Sequence, residues 1–364
     1  MNNRYNTIDF FKILFCFGVI FGHTYCIFYQ KAWVDCYGIE MTQIHNIFTD
    51  GFFMCSGIFL ARSVEKLRCF VDFSKDDLII KITKSRVSRL WGAYMFSGVL
   101  WLVYKMIFEA DELKGYIWGL WTYPLFISGI NTIPALGITW YVSALFWMGL
   151  VITALLVYIP EVSKRAALPI LIFVTYSFMY ARYYSDNLGA FPIVADFISA
   201  GLIRALCVIS IGVELFYIAN CLAVDSIGNI AKKHKIVIAL VEIISSCILV
   251  LVAIMPGLDN KSFLIYPSFG TLCIIFINHW EVVFDFANNK VCCALIHRCI
   301  KYTYMIYLSH TLLLEFLNKT IEVTIRARYF YLLMLLASIA FGVICYWGEY
   351  FLHRRLSNKL SINV

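Results

Sequence analysis

Lys12 and His23 are the residues whose types and spacing point most directly to chemistry. They lie eleven positions apart in one apolar run, IDFFKILFCFGVIFGHTYCIFY, residues 8–29. On a helix at about 100° per residue, that spacing is three turns plus roughly 20°, so both side chains leave one face. The rise between them is roughly 16 Å. An imidazole exchanges protons near neutral pH, and an ammonium holds anions. Alone, Lys12 would read as a residue snorkelling to lipid headgroups, and His23 as a packed histidine. On one stripe of a lipid-embedded helix the two are expensive unless that stripe lines something polar. Asp9, three residues before Lys12, is expected to pair with it and orient it.

Other residues join these two. His310 stands between Ser309 and Thr311 inside a late apolar run. A polar trio there points to a bundle interior and to a second proton carrier or a substrate contact. Arg86 and Arg89 sit in a basic stretch, Arg62 through Arg89, that contains eight Lys and Arg. Their forked guanidinium groups suit phosphate, although the bland reading is an anchor that sets topology. Arg204 and Glu214 are intramembrane charges expected to face a cavity, with Arg204 a substrate-binding candidate. Asp50 and Ser56 are further candidates, either touching substrate or orienting His23. The 13 cysteines include no C-x-x-C pair, so neither a metal site nor a disulfide framework is expected.

Such residues need spanning helices to hold them. The chain has 364 residues, 61% hydrophobic and 15% charged, with mean hydropathy +0.78. A soluble domain carries about 25% charged residues. The pattern predicts an all-α polytopic membrane bundle of about ten transmembrane helices, forming one domain over residues 1–364. The runs are 8–29, 45–62, 90–109, 139–159, 166–184, 199–222, 236–256, 262–279, 302–318 and 329–351. A further aromatic stretch, 116–130, is broken by Pro124 and Gly129 and reads as interfacial or re-entrant. No cleavable signal peptide is expected. Basic clusters fall on alternate loops, among them Lys232-Lys233-Lys235 and Arg354-Arg355, while 319–328 adds Lys319, Arg326 and Arg328 on the other side. The positive-inside rule then puts both termini in the cytoplasm of a multi-pass cell-membrane protein. The net charge of +7 is spread over these loops and implies no nucleic-acid partner.

Five segments carry a resemblance. IDFFKILFCFGVIFGH holds Lys12 and His23, and TDGFFMCSGIFLARS holds Asp50 and Ser56. SRVSRLW holds Arg86 and Arg89, TWYVSALF starts at Thr139, and YMIYLSH ends at His310. In this order the chain resembles acyltransferase family 3, the integral-membrane acyltransferases of O-acetyltransferase type. Position 12 is Lys where the family more commonly has Arg. The resemblance implies an acyl group, commonly acetyl from acetyl-CoA, moved to a hydroxyl of an extracytoplasmic or lipid-linked glycan. It implies Lys12, Arg86 and Arg89 against the CoA moiety, with His23 as general base and His310 and Lys12 in the catalytic set. Acyl transfer needs such a base, or a nucleophile that holds the acyl group. Whether transfer is direct stays open. The expected partners are acyl-CoA, a glycan or glycolipid acceptor and membrane lipids. The alternative is a transporter or exporter of a small or lipid-linked solute, for which intramembrane charges are equally natural.

Overall fold

A computed structural model describes residues 5–28, 44–70, 73–129, 138–182, 193–194, 198–224, 233–254, 262–320 and 327–362. Among the described residues, ten long helices build the bundle. They are α1 (Asn6–Phe28), α2 (Ile44–Phe70), α3 (Lys75–Phe108), α4 (Thr139–Tyr158), α5 (Leu168–Arg182), α6 (Ala200–Val224), α7 (Lys235–Ile254), α8 (Ser262–Ile277), α9 (Lys290–Thr320) and α10 (Ala327–Ile362). Eight helical stretches are long and apolar enough to cross a membrane, and α8 is a shorter apolar helix. Helix α9 joins a polar first half to an apolar second half. The chain is an all-α, multi-pass membrane bundle. Ahead of α6, Ile193–Val194 and Ile198–Ser199 pair as two-residue antiparallel strands. The expected helix ends at 29, 183–184 and 255–256, and the loop residues Lys232 and Arg326, lie outside the described residues.

Four helices run well past their apolar stretches, and α2 reaches Phe70 rather than 62. Helix α3 starts at Lys75 rather than 90, capped by Ser74, whose Oγ accepts from the Asp77 amide at 3.1 Å. Asp76 and Asp77 in its first turn suit the positive end of the helix. Helix α9 starts at Lys290 rather than 302, and α10 continues to Ile362. Hydropathy registers the part that crosses hydrocarbon, while the backbone stays helical beyond it. Arg86 and Arg89 therefore sit inside α3, one turn apart, rather than at its start.

The stretch 116–130 does not span, and its last residue lies outside the described residues. A seven-residue helix, Leu113–Gly119, leads into a short turn of 3-10 helix, Leu120–Thr122. Seven residues reach only about 10 Å. The chain then folds back with Phe126 at φ 55° and Gly129 at φ 73°. Tyr123 and Phe126 stack on Tyr94 of α3, with centroids 5.0 and 5.2 Å away. Ser143 Oγ of α4 donates to the Ser128 carbonyl at 2.7 Å. The segment folds back against α3 and α4, as an interfacial or re-entrant stretch does.

Side-chain contacts fix the register of the helices. Helices α1 and α9 run parallel, with Cys16 Sγ donating to the Thr303 carbonyl at 3.6 Å. Helices α3 and α9 also run parallel, through Tyr304 Oη donating to Leu90 O and Ser97 Oγ donating to Leu308 O, both at 3.2 Å. Helices α3 and α4 are antiparallel, with Tyr94 and Ser143 hydroxyls 3.2 Å apart. Helices α2 and α6 cross closely at Gly57 and Gly212, where the Cα atoms face each other and a methyl on either would strike the opposite backbone.

Between α8 and α9 the connection is tied down by two carboxylates. Glu242 of α7 accepts from the Val282 and Val283 amides at 3.0 and 2.7 Å. Glu281 accepts from Thr7 Oγ1 at 3.1 Å and from Asn288 Nδ2 at 2.6 Å, latching the start of α1. Burial pushes the Glu281 carboxyl up, but donors from His279, its own backbone and Asn288 outweigh burial and hold it below its ordinary value.

Candidate active site

The parallel register of α1 and α9 brings two histidines together. Seven residues beyond the Cys16–Thr303 contact on each helix, the His23 and His310 rings face each other, centroids 5.2 Å apart and tilted by 46°. Seven residues is two helical turns, so the heptad step preserves the facing stripe. His310 is fully buried. Its Nδ1 lies 2.7 Å from the Tyr307 carbonyl. A carbonyl only accepts, so Nδ1 carries the proton and Nε2 presents the lone pair of a neutral imidazole. That Nε2 is buried and has no hydrogen-bond partner among the described residues.

Toward the end of the bundle where α1 begins, Lys12 borders a cavity of about 630 Å³. Lys66, Lys81, Arg86 and Arg89 line it with Lys12, and among the described residues Asp9 is its one carboxylate. Asp9 is already committed, since Lys12 Nζ stands 3.4 Å from its Oδ1. That contact is the orienting pair expected from the sequence. Lys12 also lies over the Phe59 ring at 4.9 Å. The Arg86 guanidinium rests against Gly149 of α4, and its Nη1 is buried without a hydrogen-bond partner among the described residues. A desolvated cationic donor is costly unless something anionic meets it. Five cations converging on one cavity suit a ligand carrying several phosphates. Ser56 borders the same cavity, its Oγ donating to the Phe52 carbonyl at 2.8 Å.

Three aromatic rings stand between this cavity and the histidines. Phe52 is one turn from Ser56 on α2, and Tyr307 is one turn from His310 on α9. With Tyr141 of α4 they form a closed triangle, with centroid separations of 6.3 Å (Phe52–Tyr141), 5.5 Å (Phe52–Tyr307) and 5.1 Å (Tyr141–Tyr307). The sequence reading gave none of these rings a role. Tyr307 was accessible to it, because its carbonyl lies three residues before His310 and within reach of that ring.

The remaining candidates go elsewhere. Asp50, expected to orient His23, instead accepts from Arg204 Nε at 2.6 Å and from Tyr266 Oη at 3.1 Å. Both members of this ion pair are 1% exposed. Arg204 was expected to face a cavity and touch substrate; its Nε is held by a carboxylate that could not stay buried and unpaired. Asp50 also borders a second, largely apolar cavity of about 400 Å³. Glu214 lies on α6 with a buried Oε1 that has no partner among the described residues. Among the described residues no group of His, Cys, Asp and Glu is arranged to hold a metal ion.

No curated protein and no solved structure matches the chain significantly. A family model for an acyltransferase domain, acyltransferase family 3, matches residues 5–347. That range takes in the histidine pair, the basic cavity and the ring triangle, so the matched region and the candidate site coincide. The chain belongs to acyltransferase family 3, and it is a membrane acyltransferase.

Proposed function

We propose that the protein takes an acyl group, acetyl in the simplest case, from acyl-CoA in its basic cavity and delivers it to a hydroxyl of a glycan or glycolipid. In this reading both termini and the basic cavity are cytoplasmic, and the acceptor arrives from the opposite side. The observation that carries it is the arrangement along α1. A cavity with five cations meets Lys12, and the histidine pair lies eleven residues further along the same helix.

Acyl-CoA, the acyl donor, supplies an activated carbonyl and a thiolate leaving group. Its phosphates suit Arg86, Arg89, Lys12, Lys66 and Lys81, with Arg86 Nη1 the buried donor in need of a partner. His310 Nε2 takes the proton of the acceptor hydroxyl while the hydroxyl oxygen bonds to the acyl carbon and the carbon–sulfur bond breaks. The proton then passes to the leaving thiolate. His23, the base expected from the sequence, shares this work as the neighbouring proton carrier, its ring 5.2 Å from that of His310. General bases contribute about 10²–10⁴ in rate.

Purified protein, radiolabelled acetyl-CoA and extracted cell-surface glycans test the reading. Wild type should incorporate label, and His23→Ala and His310→Ala should each lose at least about 100-fold in kcat. Flux of an acceptor across vesicles with no acyl incorporation would instead identify a transporter. Full transfer by a folded His310→Ala variant would remove the base from its role.

A further inference from the structure

Helix α3 passes α9 on the far side of the ring triangle from the basic cavity. Ser97 Oγ donates to Leu308 O at 3.2 Å, and further on the Phe108 and Phe316 rings stand 5.6 Å apart. Between these two contacts, one turn beyond Ser97, comes Trp101. One turn beyond Leu308 come Thr311 and Leu312. Trp101 and Thr311 therefore stand level with each other, and Thr311 follows His310 directly. Trp101 is 1% exposed, Thr311 5% and His310 fully buried. Trp101 Nε1, Thr311 Oγ1 and His310 Nε2 are all buried with no hydrogen-bond partner among the described residues.

Burying one polar group without a partner costs about 1–3 kcal/mol, and native interiors contain few such groups. Three on one helix pair, the candidate base among them, suit a common partner. Their chemistry describes it. An indole N–H only donates, the His310 lone pair only accepts, and a threonine hydroxyl does either. Facing them, a ligand needs an oxygen that accepts from Trp101 and a hydroxyl that donates to His310. Trp101 and Tyr104 meet edge to face, centroids 5.7 Å apart at 82°, and add apolar ring surface. None of the three groups carries a fixed charge.

We propose that Trp101 and Thr311 form the acceptor subsite, which recognises an uncharged polyhydroxy ring and holds one of its hydroxyls at His310 Nε2. This rests on the acyl-transfer reading above and adds residues that recognise the acceptor but not the donor. Thr311→Val replaces only the hydroxyl with a methyl and Thr311→Ser restores it, while Trp101→Phe removes the donor N–H together with part of the indole ring.

The test uses purified full-length protein in lipid nanodiscs, with radiolabelled acetyl-CoA and oligosaccharides released from extracted cell-surface glycans. Trp101→Phe and Thr311→Val should each raise the acceptor KM at least about fivefold. The acetyl-CoA KM should not move, and Thr311→Ser should stay near wild type. Because Thr311→Val removes an unpartnered buried hydroxyl without changing volume, its thermal stability should hold or rise. Trp101→Phe also opens a cavity and should melt lower, so Thr311→Val carries the control against a purely structural role. Unchanged acceptor KM in both variants overturns the subsite while leaving acyl transfer intact. If wild type transfers no label, direct oligosaccharide binding by calorimetry replaces KM. Binding weakened by Thr311→Val and kept by Thr311→Ser then supports the subsite without the acyl-transfer reading, and no saturable binding overturns it.

Discussion

Arg86 shows how a small neighbour sets a functional group. Its guanidinium head lies where a methyl on Gly149 would go. Gly149→Ala must move that head, which is the flexible end of a long side chain, so the fold should barely respond. Acyl-CoA KM should rise about tenfold, the loss expected for one charge-assisted hydrogen bond, with Tm nearly unchanged. Steady-state kinetics beside a thermal melt separate the two effects, and an unchanged KM would return Arg86 to the role of a topology anchor. Lys12, His23 and the Asp9–Lys12 pair were legible in the sequence because all three lie on one helix, where spacing fixes direction. The facing of His23 and His310 was not, since it depends on the register between α1 and α9. The His310 tautomer rests on a backbone carbonyl, which no side-chain motif marks. The partners of Asp50 were hidden for a related reason, because Arg204 and Tyr266 lie on helices distant in sequence.

Helices α2 and α6 run parallel and are joined at three levels. Asp50 meets Arg204 at 2.6 Å, Gly57 meets Gly212, and Tyr217 Oη donates to Glu65 at 2.8 Å. The middle contact has backbone on both sides and cannot yield by a rotamer change. Gly57→Ala should therefore cost about 1–3 kcal/mol by overpacking, read as a lower melting temperature in detergent. A variant that melts like wild type would show that the two helices can separate freely there. All ten long helices were visible as apolar runs, and the folded-back stretch was marked by Pro124 and Gly129. The missing parts were the polar extensions of α2, α3, α9 and α10, because hydropathy reports contact with lipid and not helicity. Gly57 and Gly212 each read as an ordinary glycine until their helices are placed side by side.

At the scale of the whole bundle, Glu281 links the first helix to the α8–α9 connection. Its folded carboxyl titrates below the ordinary value, so its stabilising effect is present above the unfolded carboxylate pKa of about 4.3. That effect is lost as pH falls through the folded value. Melting temperature measured against pH should drop in this acid window for wild type. In Glu281→Gln it should start lower at neutral pH and fall less, and parallel curves for the two proteins would exclude the latch. The ring triangle has a consequence at this same scale. A route by which a thioester reaches the opposite half of a bilayer is also a route for leakage of ions. Phe52, Tyr141 and Tyr307 bring three large rings and no ionised group to one cluster, so a bare cation moving past them would lose its hydration for only weak ring contacts. In the proposed acyl-transfer reading, phosphates stay on one side of these rings and only the slim, uncharged end of the donor passes them. Turnover then moves no net charge through the membrane, and its rate should not depend on voltage.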